Sequence, residues 1–288
     1  MSRKNNPKPE TNQASAQKHE IRPGQSIELL KELHILTRDG KLNQDSRRKL
    51  KQVYHLYQFI EPLLNDVIKA KGQVNLIDHG AGKSYLGFIL YDLFFKDLTV
   101  PAHIYGIETR GELVSKSQEL AARLEFKHMS FLNLSVSDAT HSESLPANID
   151  IVTALHACNT ATDDAIDFAI QKKAKFIVLV PCCQAEIAAV LKKNRSKIIA
   201  NPTLAEIWNH PIHAREFGSH ISNVLRCLRL EAHGYNVTAT ELIGWEHSMK
   251  NELIIAKHQG KPSQQARECL TNLLHELGLT ELSQRFAI

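Results

Sequence analysis

Val74-Asn75-Leu76-Ile77-Asp78-His79-Gly80-Ala81-Gly82-Lys83-Ser84-Tyr85-Leu86 is the stretch on which the fold turns. The apolar residues Val74, Leu76 and Ile77 predict a strand, and Tyr85–Phe95 reads as a helix. Between them, a tight Gly-x-Gly turn lets backbone N–H groups approach a ligand closely. Three ligand classes use such a turn. A phosphate loop of the Gly-x-x-x-x-Gly-Lys-Ser type fits at Gly82-Lys83-Ser84 but needs its first glycine at Ile77, so that reading fails. A dinucleotide fold needs a third glycine for helix–strand packing, and Ser84 and Tyr85 stand near its place. The third class carries an acidic residue at the strand end, here Asp78, which suits a ligand with an ammonium group and repels pyrophosphate.

Outward from this turn the chain alternates strands and helices. Strands are predicted at Val74–Asp78, His103–Ile107, Glu125–Met129, Ile149–Leu155, Phe176–Val180, Asn236–Ile243 and Glu252–Ala256. Helices are predicted at Glu112–Leu124, Thr162–Lys173 and Gln184–Lys193 between them, and around Ser219–His233 in a late insertion. Alternation of this kind implies a parallel sheet covered on both faces. The last two strands are separated only by Gly244–Asn251, too short for a crossover, so they pair antiparallel. The predicted fold is therefore α/β: a Rossmann-like seven-stranded sheet with its last strand antiparallel. A second carboxylate, Glu108, stands at the tip of the second strand, where it can accept both hydroxyls of a ribose. Asp78, Gly80, Ala81, Gly82, Lys83 and Glu108 thus become candidate binding residues for S-adenosylmethionine, a ligand with both an ammonium and a ribose.

The chain of 288 residues is 43% hydrophobic and 23% charged, which excludes a wholly disordered, coiled-coil or collagen-like polypeptide. Its net charge of +4 is unevenly placed. Residues 1–58 hold 12 Lys/Arg against 6 Asp/Glu, and the remainder is slightly acidic. Residues 1–24 read as a flexible basic arm and 25–72 as a helical extension containing a helix over Gln44–Lys71. Residues 73–258 read as the catalytic domain and 259–288 as a C-terminal helix. Arg47, Arg48, Lys49 and Lys51 form either a solvated helix face or a phosphate-contacting patch. The five cysteines show no disulfide-like spacing and residues 1–20 are polar throughout, so a reducing, cytoplasmic compartment with no membrane segment is expected.

From about Gly72 to Lys257 the sequence resembles the class I S-adenosylmethionine-dependent methyltransferases. More narrowly, Asp78–Leu86, Leu155-His156-Ala157-Cys158 and Val180-Pro181-Cys182-Cys183-Gln184 are similar to a methyltransferase-like subgroup related to tRNA 2′-O-methyltransferases. The resemblance implies S-adenosylmethionine as cofactor and an RNA substrate, such as tRNA or rRNA, held through the basic N-terminal region. A protein or small-molecule methyltransferase of the same fold, or a non-catalytic cofactor-binding scaffold, stays open as the alternative.

In an open α/β sheet the ligand sits beyond the carboxyl ends of the strands. Candidate catalytic residues are therefore those after the fourth and fifth strands and in the last hairpin: His156, Cys158, Cys182, Cys183, His247 and Lys250. A thiolate could add to a pyrimidine ring, or a histidine or lysine could take a proton from a hydroxyl acceptor. The cysteines also fit as small apolar fillers. No metal site is expected, since no Cys-x-x-Cys spacing occurs. Arg226 and Arg229, with Arg215-Glu216-Phe217-Gly218-Ser219 ahead of the late helix, read either as a phosphate grip or as part of a capped amphipathic helix.

Overall fold

A computed structural model describes residues 21–155, 160–181, 185–194, 206–207, 209–242 and 252–288, the side chains of 136 and 137 aside. Two helices come first. Helix α1 (Ile27–Glu32) is capped by the Ser26 hydroxyl, which accepts from the Leu29 N–H. Helix α2 (Gln44–Lys71) is capped by the Asn43 side chain at its start and closed by Gly72 in the left-handed conformation. The alternation then runs β1 (Val74–His79), α3 (Tyr85–Leu93), β2 (Ala102–Glu108), α4 (Gly111–Arg123), β3 (Met129–Asn133), α5 (Val136–His141) and β4 (Ile151–Leu155). It continues with α6 (Ala161–Gln171), β5 (Phe176–Val180), α7 (Glu186–Lys193), α8 (Pro211–Ala232), β6 (Tyr235–Glu241), β7 (Glu252–His258) and α9 (Gln264–Glu276).

The strands form one seven-stranded sheet in the order β3-β2-β1-β4-β5-β7-β6. All pairs are parallel except those made by β7, which runs antiparallel to both β5 and β6. The strand order reverses between β1 and β4, and a crevice at such a point opens at the carboxyl ends of the strands. Two apolar layers cover the sheet. One packs α1, α2 and α3 on it through Leu29, Leu56, Ile60, Leu76 and Phe88. The other packs α6 and α8 through Ile166, Phe168 and Leu230 against Ile77, Ile177 and Ile254. A third cluster joins α7, α8 and α9 through Ile187, Leu191, Leu225, Leu270 and Leu274.

The third strand lies later than the sequence suggests, at Met129–Asn133 instead of Glu125–Met129. Glu125 takes a left-handed turn at φ 56° that closes α4, and Phe126 stacks on Tyr91 with ring centroids 4.2 Å apart. The helix expected around Ser219 begins at Pro211, whose fixed φ suits a first helical position. Arg215–Ser219 therefore lie within α8, and Arg226 and Arg229 are structural. Arg226 is 0% exposed and donates through Nε and Nη2 to Asp163 at 2.7 and 3.0 Å. Arg229 donates to the Ala287 carbonyl at 3.0 Å and to Asp167. An arginine buried against a carboxylate cannot present itself to a phosphate, so the phosphate-grip reading of this pair falls. Among the described residues no helix is long and apolar enough to cross a membrane.

Candidate functional site

The turn after β1 owes its shape to three left-handed residues: Gly80 at φ 65°, Gly82 at φ 57° and Ser84 at φ 50°. Its backbone folds onto β2. The Ala81 N–H donates to the Ile107 carbonyl at 3.0 Å, and the Gly82 N–H donates to Glu108 Oε2 at 2.8 Å. Two more glycines permit this closeness. A β-carbon on Gly106 would lie 2.6 Å from the Phe131 ring. One on Gly87 would lie 2.5 Å from Ser84 Oγ and 3.6 Å from Asp78 Oδ2. Gly87 thus supplies the close helix–strand packing for which the sequence reading looked near Ser84 and Tyr85. Its signal was a glycine inside an otherwise apolar helix.

Asp78 is 2% exposed. Thr153 Oγ1 donates to its Oδ1 at 3.0 Å and Ser84 Oγ to its Oδ2 at 3.3 Å. Burial pushes its carboxyl up to about 6, and these hydroxyls with the Gly87 backbone pull only part of the way back. Glu108 is held in the opposite direction. Burial alone would raise it, but the Arg110 side chain and the Arg110 and Gly82 N–H groups outweigh that and bring it down to about 2. Asn133, at the end of β3, donates to the Glu108 and Thr109 carbonyls at 3.0 and 2.8 Å and so fixes the turn that carries Arg110. Thr153, Asn133 and Arg110 all escaped the sequence reading, because only tertiary neighbours reveal them.

A cleft of about 420 Å³ opens over these groups. Asp78, Gly80, Ala81, Gly82 and Lys83 form its floor, and Arg110 stands at one side. Leu86 and Leu155 add apolar wall, and Ile35, Val53 and Leu56 bring the N-terminal extension over it. Lys49 and Gln52 face the same cleft, so α2 presents residues 49, 52, 53 and 56 at helical spacing. Lys49 and Lys83 are exposed. A β-carbon on Gly82 would lie 3.7 Å from Arg110 Nη2 and 4.0 Å from Glu108 Oε2, so the glycine keeps open the space between turn and carboxylate.

The six sequence-derived cofactor candidates, Asp78, Gly80, Ala81, Gly82, Lys83 and Glu108, are therefore brought together on two adjacent strand tips. The catalytic candidates His156, Cys158, Cys182, Cys183, His247 and Lys250 lie outside the described residues. Among the described residues no group of His, Cys, Asp and Glu could hold a metal ion. One further polar group sits beside the turn. His79 is 4% exposed, its two ring nitrogens have no hydrogen-bond partner among the described residues, and burial lowers its pKa to about 4. Its ring lies 5.9 Å from that of Phe168.

Residues 48–190 match the family model Methyltransf_32, a methyltransferase domain. The chain is 25% identical over 163 residues to a glutathione S-transferase C-terminal domain-containing protein of Mus musculus. That alignment takes in 57% of this chain and 23% of the mouse protein, so the chain spans under a quarter of that relative's length. Among solved structures, it is similar to magnesium protoporphyrin IX methyltransferase from Synechocystis with bound SAH at TM-score 0.43 and 13% identity, covering 82% of this chain and 96% of that one. It is similar to an rRNA methylase from Streptococcus thermophilus at TM-score 0.42 and 10% identity, covering 69% and 94%. The residues that match a methyltransferase domain run from α2 through β5 into α7 and include the glycine turn and Glu108.

Proposed function

We propose that this protein is an S-adenosylmethionine-dependent methyltransferase, which binds the donor between Asp78 and Glu108 and methylates RNA that lies across the basic start of α2. The observation that carries the donor half is the pairing of two buried carboxylates on neighbouring strand tips with a glycine turn between them. The residues present fit such a donor. Asp78 has an ionisable carboxylate for an ammonium, Glu108 a carboxylate for a ribose diol, and Gly82 leaves room beside Glu108. When bound, the donor supplies a methyl group on a positively charged sulfur. The protein's part is to align the acceptor in line with that methyl, exclude water with Leu86, Leu155, Val53 and Leu56, and place a proton acceptor where the acceptor atom needs one. His156, Cys158, Cys182, Cys183, His247 and Lys250 remain the proposed groups for that last role.

The acceptor half rests on charge. Arg47, Arg48, Lys49 and Lys51 are all exposed on the first turns of α2, and Lys49 from the same run reaches the cleft. A polyanion gripped by that helix therefore has its nearest opening at the donor cleft. Residues 1–20 add further basic charge ahead of it.

Transfer of tritiated methyl from S-adenosylmethionine to total RNA, compared with total protein and a metabolite extract, tests the proposal. RNA labelling whose binding step weakens steeply with added salt is the expected result. Salt-insensitive labelling of protein or metabolites, with RNA unlabelled, would replace RNA by the other acceptor class. Calorimetry with S-adenosylhomocysteine tests the donor half, and absence of binding heat would overturn it.

A further inference from the structure

The Glu108 carboxylate is already crowded. Its Oε1 accepts from Thr109 Oγ1 at 3.3 Å and from Arg110 N and Nε, both at 3.0 Å. Its Oε2 accepts from the Gly82 N–H at 2.8 Å and Arg110 Nη2 at 3.1 Å. A carboxylate offers about four lone-pair positions, so a ribose diol finds none open while the guanidinium holds both oxygens. The Thr109 O–H and Arg110 N–H contacts are local, and the Gly82 contact belongs to the turn itself. The group that can leave is the Arg110 side chain, 62% exposed against 8% for Glu108. An ion pair with so exposed a partner is weak, and a displaced guanidinium regains water.

Where the guanidinium goes is also constrained. Arg110 lines the same cleft as Lys83 and Lys49, each on a different element: the turn after β2, the glycine turn and α2. Lys83 is exposed, and Lys49 makes a surface pairing with Asp45 at 2.9 Å. Freed from Glu108, Arg110 turns a balanced pair at the cleft into an uncompensated positive charge beside two lysines. Its planar fork is suited to two oxygens of a phosphate.

We infer that Arg110 is a phosphate-binding residue released by the donor: it neutralises Glu108 in the empty cleft, and joins Lys83 and Lys49 on an acceptor phosphate once ribose hydroxyls take that carboxylate. The inference rests on the donor and RNA readings given above. Its consequence is positive coupling, in which donor product and RNA each strengthen the binding of the other by the same factor.

The test uses the full chain, with S-adenosylhomocysteine measured by calorimetry and unfractionated tRNA by filter binding. In the unsubstituted protein, saturating S-adenosylhomocysteine tightens tRNA binding about three- to ten-fold. Arg110→Ala abolishes that coupling, while its S-adenosylhomocysteine affinity stays equal or rises by up to about five-fold, because a competitor for Glu108 is gone. Glu108→Gln, which loses the partner of Arg110, binds tRNA without any donor as tightly as the donor-saturated protein. A guanidinium that merely braces the turn predicts the opposite, with both ligands weakened in Arg110→Ala. Equal tRNA affinity with and without S-adenosylhomocysteine, or weakened S-adenosylhomocysteine binding in Arg110→Ala, overturns the inference and leaves the donor reading standing. Failure of the unsubstituted protein to bind S-adenosylhomocysteine overturns both.

Discussion

Asp78→Asn separates what the site does for binding from what it costs the fold. In the folded chain the Asp78 carboxyl is raised to about 6 from its usual 3.8. A carboxyl raised in this way holds its proton more tightly folded than unfolded, so stability falls as pH climbs from 3.8 to about 6 and is level above that. At about 1.4 kcal/mol for each pH unit between those values, the ionised carboxylate costs the empty protein about 3 kcal/mol at neutral pH. Asparagine keeps the shape and removes the charge. Its oxygen still accepts from one hydroxyl, and Thr153 Oγ1 can turn toward the Ile77 carbonyl 3.3 Å away, but the amide N–H₂ needs new acceptors at a cost of ~1 kcal/mol. The net expectation is a gain of ~2 kcal/mol, or ~4–8 °C in midpoint for a chain of this size. Thermal scans of both proteins from pH 4 to 8 check it: the variant's midpoint starts slightly below its parent's at pH 4, crosses it as the pH climbs, and runs parallel above it beyond about 6. Binding moves the other way. Loss of the charge opposite the donor's ammonium weakens S-adenosylhomocysteine by about 10- to 100-fold, corresponding to ~1.5–3 kcal/mol for a charge-assisted contact. A variant less stable than its parent at pH 8 and unchanged in affinity would refute the reasoning.

Three further outcomes follow from the packing. Gly106→Ala drives a methyl group into the Phe131 ring at 2.6 Å and toward Ala81, so urea unfolding should report a loss of ~1–3 kcal/mol and calorimetry a weaker cofactor site. Arg226→Met strands the buried Asp163 carboxylate and should cost ~3–5 kcal/mol by the same unfolding measurement, whereas Arg226→Met combined with Asp163→Leu recovers most of it. Arg47→Glu, Arg48→Glu and Lys51→Glu together should leave the unfolding midpoint within a few degrees, since all three side chains are exposed, yet lower the slope of log affinity for tRNA against log salt by about three. Deleting residues 1–58 is a poor substitute for that triple change. It removes Leu29, Leu30, Ile35, Leu50, Leu56 and Tyr57, all buried in the apolar layer against β1 and α3.

The order of strands and helices was legible because apolar runs of five or six residues recur between amphipathic stretches, and that periodicity is local. The short gap before the last strand forced an antiparallel return, which the pairing of β7 with β5 and β6 matches. Boundaries slipped where a single residue decided them. Glu125 accepts a left-handed turn and delays β3, and Pro211 starts α8 well ahead of its apolar stripe. Asp78, the two glycines and Glu108 could be read together because each lies at or just beyond the carboxyl end of a strand, so their proximity is implied by a parallel sheet before any contact is known.

The sequence by itself therefore determined the sheet, its direction reversal and the pair of carboxylates at its rim, all consequences of spacing along the chain. Only the tertiary structure decided the charge states at that rim. Asp78 is raised by burial beneath α3, and Glu108 is lowered by a guanidinium two residues away that bends back onto it. It likewise decided that Arg226 is an internal anchor and that α2 forms a wall of the cleft. The physical reason is common to all four: burial and the distance between charges depend on which elements meet across the fold, and no local pattern encodes that meeting.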